Sequence, residues 1–83
     1  MEDTLPDYLK DLVSLLRESG RETIRRIKHD GASDFEAGRL TSLYEVVTLM
    51  QSQADAFGIA RDAIGLDRVD PEREFLVRMG PAS

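Results

Sequence analysis

Apolar residues recur every three or four positions along two long segments of the chain, which is the spacing of one face of an α-helix. In the first segment the repeating positions are Leu5, Leu9, Leu12, Leu16, Ile24 and Ile27. In the second segment they are Leu40, Leu43, Val47, Met50, Ala54 and Phe57. No comparable stretch alternates apolar and polar residues, so the pattern contains no strand signal. The sequence therefore predicts an all-α fold.

Turn and capping residues place the ends of these helices. Gly31 follows the basic end of the first helix, and Ser33 with Glu36 forms a capping box at the start of the second. Gly58 stops the second helix, and Asp70 is a cap for a short helix near the C-terminus. The predicted helices cover residues 5–29, 34–57, 60–64 and 71–78.

Gly20 lies in the gap between Leu16 and Ile24, in the middle of the first predicted helix. A glycine on a buried helix face allows another backbone, such as that of a partner helix, to approach closely. The alternative is a break between two shorter helices, because glycine is less favourable than alanine by about 1 kcal/mol in a helix. We expect one continuous helix.

Residues 1–83 are too few for more than one domain, and we expect a single long two-helix hairpin followed by one or two short C-terminal helices. The heptad seam of the second helix, Leu40 to Phe57, is flanked by a second apolar set of Phe35, Val46 and Leu49. This apolar arc is wider than one partner helix needs. We therefore expect two copies to form a homodimer with a four-helix bundle core.

Composition excludes several classes of function. The chain has no cysteine and a single histidine, so it has no thiol nucleophile, and the inward Glu-x-x-His pairs of a di-metal bundle are missing. We expect no catalytic residue, no metal site and no cofactor. The net charge of −5 argues against a general nucleic-acid binder. The acidic N-terminus with no long apolar run predicts a cytoplasmic protein with no membrane segment.

Two sets of polar residues leave alternatives open. A basic stripe on the first helix is either a partner-binding face or a solvated face balanced by Glu18 and Glu22. The stripe consists of Arg17, Arg21, Arg25 and Lys28. Beside the apolar arc of the second helix, Tyr44, Glu45 and Gln51 form either a polar layer inside the bundle or ordinary boundary packing.

These observations predict a small non-catalytic protein-interaction or adaptor protein that acts as a homodimer. The alternative is a regulator that binds nucleic acid or a regulatory protein through the basic stripe, with the protein partner favoured by the negative net charge. A third class, a bundle with a bound metal or small ligand, would involve His29 or the pair Glu36 and Glu45.

The second helix also resembles a group of proteins. Four short stretches and the segment Ile64-Gly65-Leu66-Asp67 are similar to small uncharacterised bacterial helical-hairpin proteins. The stretches are Phe35-Glu36-Ala37-Gly38-Arg39, Tyr44-Glu45-Val46-Val47, Gln51-Ser52-Gln53-Ala54 and Phe57-Gly58-Ile59. The resemblance covers mainly residues 35–67 and implies a bacterial, all-helical protein. It supplies no catalytic residue.

Overall fold

The computed structural model describes residues 4–76, and this part of the chain contains helices and no strand. Two long helices form an antiparallel hairpin, followed by a 3₁₀ helix and a short α-helix. The α-helices are α1 (Thr4–Asp30), α2 (Asp34–Ala56) and α3 (Pro71–Phe75), and the 3₁₀ helix is Arg61–Ile64. The predicted all-α hairpin is confirmed. The last helix ends at Phe75 with Leu76 as its C-cap, short of the predicted end at residue 78, and residues 77 and 78 lie outside the described residues.

The turn of the hairpin follows from its capping residues. Gly31 ends α1 with φ +89°, in the left-handed region, and its N–H donates to the carbonyl of Ile27 at 2.8 Å. The hydroxyl of Ser33 accepts from the N–H of Glu36 at 3.2 Å, as the predicted cap requires. The Glu36 carboxylate does not complete the capping box, because it binds Arg26 of α1, with 2.9 Å between Nε and Oε2.

Helix α1 runs unbroken through Gly20, as expected. Gly20 is buried, but it faces neither another backbone nor a partner helix. A Cβ atom at this position would lie 2.5 Å from Cε1 of Phe75, whose ring is 1% exposed. The glycine therefore makes room for an aromatic ring from the end of the same chain.

The core forms where the C-terminal segment, residues 61–76, folds back along the hairpin. Asp70 accepts from the N–H of Arg73 and Pro71 begins α3, so the short helix starts where predicted. The buried apolar cluster joins all the elements and consists of Val13, Val47, Ala54, Ile64, Leu66, Val69 and Phe75.

Candidate functional site

Most of the predicted heptad seam lies in the core of a single copy. Leu40, Val47 and Ala54 are buried, and Leu43 and Met50 are half-buried. Phe57 is the exception, because it caps the C-terminus of α2 and is 74% exposed. The first five residues of the seam therefore pack within a single copy, so a surface that binds another chain must be formed by other residues.

The three residues of the predicted polar layer do not come together. Gln51 is buried, and its side-chain amide donates to the carbonyl oxygens of Val69 at 2.8 Å and Leu66 at 3.5 Å. Tyr44 is half-buried and Glu45 is exposed. Gln51 therefore holds the loop before α3 against α2, which is an intrachain role rather than a layer between subunits.

The basic stripe is partly neutralised by acids of the same chain. Arg17 makes a two-pronged ion pair with Glu74, at 2.8 Å from Nε and 2.7 Å from Nη2. Glu18 lies 3.8 Å from Arg21 and 3.6 Å from Arg25. The last member of the stripe, Lys28, is exposed near the end of α1. Arg17 thus anchors α3, whereas the other three remain at the surface.

Two further ion pairs strengthen the ends of the hairpin. The hydrogen bond from Arg26 to Glu36 raises the pKa of the Arg26 guanidinium, and Glu22 adds to this effect from 3.3 Å away. At the end of the hairpin away from its turn, the hydrogen bond from Arg61 lowers the pKa of the Asp55 carboxyl, with 2.7 Å between Nη2 and Oδ2. The first pair joins α1 to α2, and the second joins α2 to the 3₁₀ helix.

Seven large apolar side chains form the main exposed feature of the hairpin, and each of these residues is between 44% and 74% exposed. We call this set the open face. Its members are Leu5, Tyr8 and Leu15 of α1 and Phe35, Val46, Leu49 and Phe57 of α2.

Hydrogen bonds from Arg39 show that both halves of the open face lie on one side of the hairpin. The guanidinium of Arg39 donates to Ser19 at 2.7 Å and to Thr23 at 3.1 Å, so these residues border the same side. On α1, Leu15, Tyr8 and Leu5 precede Ser19 by 4, 11 and 14 residues. These spacings put all three residues on the same side of α1 as Ser19. The α2 members lie on the same side of their helix as Arg39. The distances from Arg39 are 4 residues for Phe35, 7 for Val46 and 18 for Phe57, and Leu49 follows Val46 by 3.

The C-terminal segment covers the opposite side. Its anchor residues on the hairpin, Arg17 and Gln51, are each two positions from a member of the open face. Two positions on a helix correspond to a rotation of about 200°. The hairpin therefore has one side covered by residues 61–76 and one side that the described residues leave exposed.

The described residues present little that is typical of a reaction centre. His29 is exposed and contacts Asp30 at 2.7 Å, and Glu36 is held by Arg26. Within residues 4–76, no three metal-ligating side chains lie close enough together to hold an ion. Neither long helix contains a stretch apolar enough to cross a lipid bilayer over the same range.

No family model, curated protein or solved structure matches this chain significantly. The resemblance to bacterial helical-hairpin proteins therefore stays a prediction.

Proposed function

We propose that this chain is a small non-catalytic protein-interaction protein that acts as a homodimer, with two open faces packed together in a four-helix bundle. The observation that carries the proposal is the contrast between the two sides of the hairpin. One side is covered by the C-terminal segment, and the other exposes seven large apolar side chains. An apolar patch of this kind commonly marks a binding surface.

The size of the open face fits a second copy. A whole aromatic side chain covers about 150–250 Å², so seven large side chains that are half to three-quarters exposed present on the order of 800 Å². A standard interface buries about 800 Å² on each partner. None of the seven members of the face is charged, so the apolar centre of a self-paired contact contains no unpaired ion.

The energies are consistent with a reversible dimer. Full burial of an apolar side chain is worth about 1.5–3 kcal/mol, and about half of that remains to be gained at each exposed position. Fourteen such side chains in a dimer contribute roughly 10–20 kcal/mol, against an association cost of about 4–15 kcal/mol. Since the middle values of these two ranges differ by about 6 kcal/mol, we expect a dissociation constant of tens of micromolar rather than an obligate dimer.

Sedimentation over a concentration series tests the proposal. We expect the mass to rise from 9.3 kDa towards twice that value as the concentration increases through the micromolar range. Leu49→Glu places a charge in the centre of the open face and should hold the protein at the monomer mass with its helical spectrum intact.

Ser14→Glu is the matched control for charge. Ser14 is exposed and lies three positions from Arg17, away from the open face, so this variant should dimerise like the wild type. A wild-type chain that stays at 9.3 kDa up to hundreds of micromolar would refute the proposal. Equal effects of the two substitutions would show that net charge, and not the open face, governs association.

The alternative, a regulator that binds through the basic stripe, has less support. Arg17 is engaged by Glu74, and Glu18 lies close to both Arg21 and Arg25. Salt-sensitive binding of an acidic partner that Arg21→Ala with Arg25→Ala abolishes would favour the alternative.

A further inference from the structure

A shallow hollow lies on the first turns of α2, at the end of the open face that is nearest to the hairpin turn. It is lined by Asp34, Phe35, Gly38, Arg39 and Ser42. The last four of these residues have the spacing i, i+3, i+4 and i+7, which is the frame that receives one side chain from a facing helix in knobs-into-holes packing. The glycine and the serine leave the floor of the hollow open, and the ring of Phe35, which is 73% exposed, forms one wall.

Nothing in the described fold of one copy requires a glycine at position 38. Gly38 has an ordinary helical backbone, since it is not among the glycines with positive φ. A Cβ atom built there would meet no atom within 4 Å among residues 4–76. Glycine is less favourable than alanine in the middle of a helix, so Gly38 lowers the stability of α2. No contact among the described residues of one copy compensates for this loss.

Phe57 lies at the other end of the same stripe of α2. It is the most exposed large apolar residue of the described chain, and it follows Arg39 by 18 positions, which is five complete helical turns. Val46 and Leu49 lie between the hollow and Phe57 on that stripe. The stripe thus has a notch at one end, an aromatic ring at the other, and aliphatic side chains between them.

We propose that two copies pair α2 against α2 in antiparallel orientation, with Phe57 of each copy seated in the Gly38 hollow of the other. This arrangement rests on the homodimer proposed above and specifies its geometry. The midpoint between Phe57 and the hollow falls between Val46 and Leu49, so these two residues pack across the two-fold axis. A large side chain then faces a small residue at each end of the contact, and aliphatic side chains pack against each other at its centre.

A parallel pairing lacks this complementarity. It would place hollow against hollow and ring against ring, which leaves the Gly38 notch unfilled and reduces the buried apolar area. In the antiparallel pairing, Arg39 borders the hollow, so the incoming aromatic ring would lie beside this arginine. The antiparallel arrangement therefore uses every member of the α2 stripe.

Substitutions at the two ends of the stripe test the contact. Gly38→Leu fills the hollow and Phe57→Ala removes the ring. Because each change acts twice in a two-fold dimer, both should raise the dimer Kd by on the order of 100-fold. Ser14→Leu adds the same side chain on the other side of α1 and should leave the Kd unchanged. Both stripe variants should keep the helical spectrum of the monomer. Wild-type dimerisation of Gly38→Leu would overturn the proposed seat for Phe57.

The absence of cysteine allows the orientation to be measured with one spin label per chain, at Ala32→Cys in the exposed turn. About 15 residues of α2 separate the turn from the two-fold axis, which is about 23 Å at 1.5 Å per residue. Antiparallel copies extend from the axis in opposite directions, so the two labels should lie about 45–50 Å apart. A dimer with labels closer than about 25 Å would overturn the antiparallel arrangement while leaving the homodimer. A monomer would refute both.

Discussion

The contact between Gly20 and Phe75 makes a substitution that normally stabilises a helix harmful. In an exposed helix, replacing glycine by alanine is favourable by about 1 kcal/mol. At Gly20 the added Cβ atom would lie 2.5 Å from Cε1 and 2.8 Å from Cδ1 of the Phe75 ring. Since real side-chain carbons do not approach this closely, either the ring or the helix must move.

The size of the effect follows from the burial of the ring. Phe75 is 1% exposed and lies within the main apolar cluster, so it has no free space into which to move. Overpacking a core by one methyl group costs about 1–3 kcal/mol. After the gain in helix propensity of about 1 kcal/mol, we expect Gly20→Ala to lower the free energy of unfolding by up to about 2 kcal/mol net. For a chain of 83 residues this lowers Tm by up to roughly 15 °C.

Urea and thermal unfolding followed by circular dichroism will measure this, at a low concentration where association contributes little. Gly38→Ala is the matched control, because its Cβ meets nothing within 4 Å in the described chain and the same change should raise stability by about 1 kcal/mol. Phe75→Leu should be less harmful in combination with Gly20→Ala than the sum of the two single changes predicts. If Gly20→Ala stabilises the protein as much as Gly38→Ala does, the docking of the ring on α1 is wrong.

Three other substitutions have defined expectations. Gln51→Leu removes the donor to the carbonyl of Val69 and should lower the free energy of unfolding by about 1–3 kcal/mol in urea titrations, because a buried acceptor loses its partner. Thr48→Val should be neutral or stabilising by up to about 1 kcal/mol in the same assay, because the buried Thr48 hydroxyl has no hydrogen-bond partner among the described residues. For Asp55, an NMR titration should give a carboxyl pKa below the ordinary value, and Arg61→Gln should restore it. Since the folded-state pKa is lowered, the stabilisation from this pair is present above about pH 4 and is lost as the pH falls through the folded pKa.

Local chemistry was sufficient to predict the elements of the fold. The turn at Gly31, the cap at Ser33 and the start of α3 at Asp70 all depend on residues within a few positions of one another. The apolar repeat predicted two long helices whose ends the structure places within about one residue of the expected bounds. These features can be predicted from the sequence because each depends on a hydrogen bond or a residue spacing within one segment.

Side-chain partners that depend on long-range packing were not predictable in the same way. Glu36 was expected to reach back to its own cap, but the structure pairs it with Arg26 across the hairpin. The sequence leaves Arg17 on either a partner-binding face or a solvated face, but Glu74 binds it from 57 positions away. Each of these charged groups had more than one plausible partner in the sequence, and only the relative placement of the elements selects between them.

The location of the predicted dimer interface shows what a helical repeat leaves undetermined. Period and spacing identify which side chains share a face, but they do not say which face another part of the chain will cover. The C-terminal segment uses the side of α2 that carries Gln51, and the core takes Val47 and Ala54 of the predicted seam. What remains for a partner is the stripe with Phe35 and Phe57, whose side chains are 73% and 74% exposed. The homodimer thus remains a prediction, and the interface proposed for it is the side of the hairpin opposite the C-terminal segment.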